Sequence, residues 1–223
     1  MSIFDKMISM EFYHLINRGV DKKITFPEDS DCVRFMHDLY VFNDVTNVDS
    51  NHRFHEFQSQ HVRRPLVEIH AFCLMPNHYH ILVSELEDNG ISFFMRKINM
   101  GYAKYFNEKY DRSGVLWQGT FKRIRIERDA HFLYIPYYIH LNPLDLTHPE
   151  WRDGSISDMT SAMEYLKKYR WSSFLDYLGQ KNFPSIITKE ILSENLGTAK
   201  NQEKTIQQIV SNADLVQGSS SIE

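Results

Sequence analysis

Two histidines one residue apart, His78 and His80, stand in the stretch "LMPNHYHILVSE" at residues 74–85. On an extended chain alternate side chains share a face, so these imidazoles project together from Cα atoms roughly 6–7 Å apart. That spacing lets one cation bridge two neutral ring nitrogens. Magnesium and manganese want oxygen ligands as well. A source of one lies in "YYIHLNP" at residues 137–143, where Tyr138 and Asn142 are four residues apart and share a helix face, setting an amide oxygen beside a phenol. A tyrosine attacks phosphorus competently when a metal polarises the phosphoryl group and holds it in line. The plainer reading is that the histidines are hydrogen-bonded residues of a polar face. By the same reading Tyr138, one of twelve tyrosines, is a packing residue with a polar tip.

The elements that must position these groups are legible in the hydrophobic pattern. "EFYHLINRG" (11–19) is aromatic and β-branched and closes in a turn, which predicts a strand. "DSDCVRFMHDLYVFNDV" (29–45) has helical spacing with acidic residues at its start. "LVEIHAFCLM" and "HYHILVSE" are strand-like runs separated only by Pro76-Asn77, which predicts a β-hairpin. "NGISFFMRKINMGYAKYFNEKYDRSG" (89–114) places Ile91, Phe94, Met95, Ile98, Tyr102, Tyr105 and Phe106 at three- and four-residue steps, an amphipathic helix. A strand follows in "FKRIRIER", and then a helix over 129–142 that opens on Asp129, suited to an N-cap, and ends before Pro143. Pro136 should bend that helix or shift its start. The order β-α-β-β-α-β-α predicts an α+β fold: a ferredoxin-like (RRM-like) βαββαβ sandwich with an antiparallel sheet and an added helix that carries the tyrosine. "SDMTSAMEYLKKYRWSSFLDYLG" reads as two helical pieces joined near Arg170.

Composition bounds the rest. The chain has 223 residues, 42% of them hydrophobic, and no Pro/Gly/Ser-rich linker, so one elaborated domain is expected. Two cysteines, Cys32 and Cys73, are too few for a disulfide framework and sit among apolar neighbours, as buried thiols in a reducing compartment would. No secretory signal or apolar run of about 18–20 residues is present, so no membrane partner and a cytoplasmic location are expected. The net charge of −4 hides an uneven distribution. Residues 90–128 hold nine basic side chains against three acidic ones, leaving the remainder of the chain strongly acidic. Cations interleaved with aromatics suit a nucleic-acid surface: Arg18, Lys104, Lys122, Arg123 and Arg125 for phosphates, and Trp117 for stacking on a base. The alternative is a solvated strand edge with a buried tryptophan. His14, His70 and His140 read as structural.

The motifs "HAFCLMPNHYHILV" and "YYIHLNPL" resemble those of the HUH-type single-tyrosine transposases (IS200-like), in particular the REP-associated tyrosine transposase branch; "YFNEKYDRSGVLWQGTFK" and "YRWSSFLDYLG" resemble the same family. The resemblance runs from about Tyr13 to Gly179. It implies a transposase-like domain over residues 1–180, with insertions near 44–66 and 145–169, and a helical or flexible extension over 181–223. It implies His78 and His80 as metal ligands, Asn142 as the third, Tyr138 as nucleophile, and Mg2+ or Mn2+ as cofactor. The implied activity is cleavage and rejoining of single-stranded, hairpin-forming DNA through a covalent 5′-phosphotyrosine with release of a free 3′-hydroxyl, by a monomer or a homodimer.

Tyr134 shares the helix face of Tyr138, whereas Tyr137 is turned about 100° away, so Tyr134 is a conceivable second nucleophile. The competing reading of the chain is a non-catalytic single-stranded DNA or RNA binding module on the same sheet. A hydrolase lacks support, since no HExxH helix and no Gly-x-Ser-x-Gly turn is present.

Overall fold

The computed structural model describes residues 10–46, 62–127 and 129–212. Strand β1 (Phe12–Arg18) leads to helix α1 (Asp29–Val41). The hairpin β2 (Val67–Met75) and β3 (His78–Glu85) comes next, then α2 (Gly90–Lys109), β4 (Lys122–Arg125) and α3 (Asp129–Leu141). Two 3-10 turns (Asn142–Leu146 and Pro149–Asp153) connect to α4 (Met159–Lys168), α5 (Phe174–Tyr177), α6 (Glu190–Leu196) and α7 (Ala199–Val210). The sheet order is β2-β3-β1-β4 with every pairing antiparallel, which is the ferredoxin-like arrangement that the βαββαβ order predicts.

β1 lies between β3 and β4, and this explains why aromatic and aliphatic residues run through it without a polar alternation: both its faces are covered. α1 and α2 cover one face. α1 begins at a capping box in which Glu28 and Asp31 satisfy each other's backbone N–H groups, and it buries Cys32, Phe35, Met36 and Leu39. α2 buries Ile91, Phe94, Met95, Ile98, Tyr102 and Phe106, the stripe expected of it. Each of these large apolar side chains contributes roughly 1.5–3 kcal/mol by leaving water. Gly101 of α2 is required by packing, because a Cβ there would come within 2.4 Å of the Phe42 ring.

The opposite face of the sheet, open in a minimal sandwich, is covered here by α3 and the helices after it. α3 is buried nearly all round, through Phe132, Ile135, Tyr137, Tyr138, Ile139 and Leu141. It runs continuously through Pro136. The two helical pieces expected near Arg170 are α4 and α5. Between them Ser172 forms an isolated bridge to Cys73, and the Leu74 N–H donates to the Trp171 carbonyl at 2.8 Å, so this segment caps the outer edge of β2. The polar-looking chain beyond Ser193 supplies Leu196, Ile206, Ile209 and Val210 to the core through α6 and α7. Residues 47–61, most of the insertion expected near 44–66, and residues 213–223, the end of the expected extension, lie outside the described residues. Among the described residues no helix is long and apolar enough to cross a membrane.

Candidate active site

The site forms where the β2–β3 turn, the end of β1 and α3 meet. Pro76 and Asn77 make the tight turn, and the loop after β1 latches onto it. Gly19 donates its N–H to the Asn77 carbonyl at 2.8 Å, and Thr25 and Phe26 donate theirs to the Pro76 carbonyl at 2.9 and 3.0 Å. Gly19 is needed at this point, since a Cβ would meet the Lys23 carbonyl oxygen at 2.4 Å.

His78 and His80 point to the α3 side of the sheet with ring centroids 5.0 Å apart. The Asn77 amide defines the proton position on His78. Its Nδ2 donates to the Lys22 carbonyl at 3.0 Å, so its Oδ1 is the atom 2.7 Å from His78 Nδ1 and accepts from it. His78 Nδ1 therefore carries a proton. His80 is fully buried, and its pKa is held well below the ordinary histidine value by desolvation first and then by the positive fields of neighbouring groups including Arg152 and Arg18. It is therefore neutral, the form in which an imidazole binds a metal.

Tyr138 sits over His80. Its ring meets His80 edge-on at 5.7 Å and His14 at 6.1 Å, and the side chain is only 1% exposed. Tyr134, one turn earlier, lies beside it with ring centroids 6.4 Å apart and planes tilted by 34°, while Tyr137 faces Thr205 of α7. Asn142, also buried, donates from Nδ2 to the Tyr138 carbonyl at 2.8 Å. Its Oδ1 accepts only a long bond, 3.4 Å, from Arg152. A carbonyl oxygen so lightly engaged keeps acceptor capacity for a further ligand.

Two residues of this site are not expected there, and one of them, His14, reads in sequence as structural. Arg152, from the second 3-10 turn, forks onto Asp145 at 2.7 and 2.8 Å and reaches both Asn142 and the Tyr138 side chain, its guanidinium carbon 5.6 Å from that ring. Trp151 beside it donates to Asp145 at 2.7 Å and packs on Tyr138. His14 of β1 is the second. It stacks on His80 with centroids 5.0 Å apart and planes 17° from parallel, and its Nε2 is 2.9 Å from His80 Nδ1. No local signal marked either residue. His70 and His140, by contrast, are structural as expected: His70 bonds Ser84 and the Thr188 carbonyl, and His140 bonds Ser173.

A cleft of about 380 Å³ opens beside His80, lined by Ile16, Asn17, Arg18, Lys22, Gln118, Thr120 and Lys122. Strand register explains which cations reach it. Lys122 stands opposite Ile16, on the same face as His80, whereas Arg123 and Arg125 stand opposite Leu15 and Tyr13 and point to the other side. Arg123 there covers the Tyr13 ring at 3.9 Å and pairs with Glu85; Arg125 pairs with Glu11. Lys104 is on the exposed side of α2, beside Glu108. Trp117 is not a stacking platform. It lies in an aromatic cluster with Tyr79, Tyr102 and Phe26, and its indole N–H donates to the Asn99 carbonyl at 3.1 Å. Of the six cation and stacking candidates, Arg18 and Lys122 alone border the cleft.

Among the described residues no three His, Cys, Asp or Glu side chains converge on one point. A metal here would rest on two imidazoles and an amide, completed by substrate or water oxygens. The donors fit that description: the His80 imidazole held neutral, the His78 imidazole beside it, an amide oxygen with spare capacity, and a buried His80 Nε2 that meets no protein partner among the described residues.

Residues 42–142, which contain the histidine pair, Tyr138 and Asn142, match a family model described as "Transposase IS200 like". No curated protein matches the chain at a significant level. Among solved structures, one described as "Structure of the REP associates tyrosine transposase bound to a REP hairpin" aligns with a TM-score of 0.48 and 12% identity, covering 81% of this chain and 87% of that one.

Proposed function

The chain resembles the IS200-like transposases through the segment that carries both the histidine pair and Tyr138, and from that premise we propose that it is a metal-dependent transferase of single-stranded, hairpin-forming DNA. The observation that carries the proposal is the edge-on contact of Tyr138 with His80 at 5.7 Å, beside a cleft bordered by Arg18, Lys22 and Lys122.

His78, His80 and Asn142 would hold a divalent ion, Mg2+ or Mn2+, which when bound supplies Lewis-acid polarisation of a phosphoryl oxygen. Arg18, Lys22 and Lys122 attract the DNA backbone to the cleft wall. The Tyr138 hydroxyl oxygen attacks phosphorus; a tyrosyl O–P bond forms, the bond from phosphorus to the 3′-oxygen breaks, and the proton given up by the phenol is matched by the one the departing 3′-oxygen takes up, leaving a free 3′-hydroxyl and a 5′-phosphotyrosine. Arg152 stabilises the phenolate character that develops on Tyr138 as its proton departs. Attack by another 3′-hydroxyl on the phosphotyrosine reverses these bond changes and joins the new strand.

Labelled hairpin DNA incubated with the protein and Mn2+ should give a covalent adduct on a denaturing gel. The adduct should vanish with Tyr138→Phe and with a chelator; an undiminished adduct in Tyr138→Phe refutes the assignment. The near-complete burial of Tyr138 favours a second reading, binding without catalysis. Tight, metal-independent DNA binding with no adduct from the unaltered chain would establish that one.

A further inference from the structure

The bond between His14 and His80 spans 66 residues of sequence and lies in the sheet interior, behind the cleft. One ring nitrogen must donate and the other accept, so the bond runs in one of two senses. If His80 Nδ1 carries the proton, His14 Nε2 accepts it, and His80 Nε2 presents a lone pair at the cleft. If His14 Nε2 donates, the His80 proton moves to Nε2 and its lone pair is used up inside the protein.

Resting on the function proposed above, we infer that His14 is a positioning residue that accepts from His80 Nδ1 and thereby fixes His80 with its Nε2 lone pair turned out for a divalent cation. Two observations support the sense chosen. His80 Nδ1 is taken up by the bond to His14, so Nε2 is the ring nitrogen left for a cation at the cleft that His80 lines. His78 has the same arrangement, its Nδ1–H directed to Asn77, so in both imidazoles Nε2 is the nitrogen that a cation would meet. The stacked geometry, 17° between ring planes, also restrains rotation of the His80 ring. Outer partners of this kind commonly change metal affinity by about 10–100-fold.

Long-range 1H–15N spectra of the unaltered, metal-free chain report each histidine's tautomer directly. His80 is expected with Nδ1 protonated, and an Nε2-protonated pattern overturns the inference. This readout needs neither metal nor a variant. Mn2+ affinity measured without DNA, by the electron paramagnetic resonance of free Mn2+, supplies the second. His14→Leu removes the acceptor and should weaken Mn2+ by about 10–100-fold, while His14→Gln, whose amide reaches the place of Nε2, should recover most of that loss. A folded His14→Leu that binds Mn2+ as tightly as the parent overturns the role of His14 alone. A parent that binds Mn2+ no better than His80→Ala overturns the metal reading and, with it, the purpose assigned to His14.

Discussion

Lowering the pH from 7 to 5 should cost this protein a large part of its stability, and the cost can be worked from two buried histidines that bond to structural partners. His70 and His140 are fully buried, and desolvation pulls their pKa values down to about 4 and about 3. An unfolded chain protonates histidine near 6.5. As pH falls below that value the unfolded state binds protons that the folded state refuses, so stability is complete above about 6.5 and is lost progressively toward the folded pKa values. Each histidine contributes about 1.4 kcal/mol per pH unit in this window, so at pH 5 the pair accounts for about 4 kcal/mol. His80, also depressed, acts in the same direction. A loss of that size is comparable to the whole stability of many domains. Urea unfolding at pH 7, 6 and 5, followed by tryptophan fluorescence, measures it. His140→Gln should reduce the slope of stability against pH by the share of one histidine. A stability constant from pH 7 to 5 would refute the reasoning, because it would mean that these imidazoles accept protons without leaving the fold.

Removing Arg152 tests the joint between Asp145, Asn142 and Tyr138. Arg152→Ala should destabilise the chain by about 1.5–3 kcal/mol in denaturant titration, the range for charge-assisted hydrogen bonds, and should slow adduct formation while leaving DNA affinity nearly unchanged. Lys122→Ala and Arg18→Ala should each lower the slope of log affinity for single-stranded DNA against log salt by about 0.7. Arg125→Ala, on the other face and paired with Glu11, should leave that slope unchanged, and equal effects from all three in a filter-binding series would contradict the placement of the cleft. Trp117→Ala should act on the fold, costing about 3–5 kcal/mol as a large core truncation does; a stable variant with lost DNA binding would restore the stacking role.

Local pattern determined much of this protein. The alternation in "HYHILVSE", the Pro76-Asn77 turn and the helical stripe over 90–109 are short-range signals, and each produced the element it predicts. The four-residue step from Tyr138 to Asn142 likewise put both residues at one corner, through Pro136, because a helix that is buried all round is held by its neighbours more than by its own hydrogen bonds. What pattern could not decide was which residues meet across long stretches of chain. His14 reads as one polar residue in an apolar strand until β1 pairs with β3 and sets it beside His80. Arg152 lies in a stretch with no periodic signal and gains its role only when the turn after α3 folds back over Tyr138. The basic run over 122–125 shows two faces in sequence but not which one looks at the histidines. That choice belongs to β1 register and to the helices that bury each side, since a strand's own alternation is symmetric and only packing distinguishes its faces.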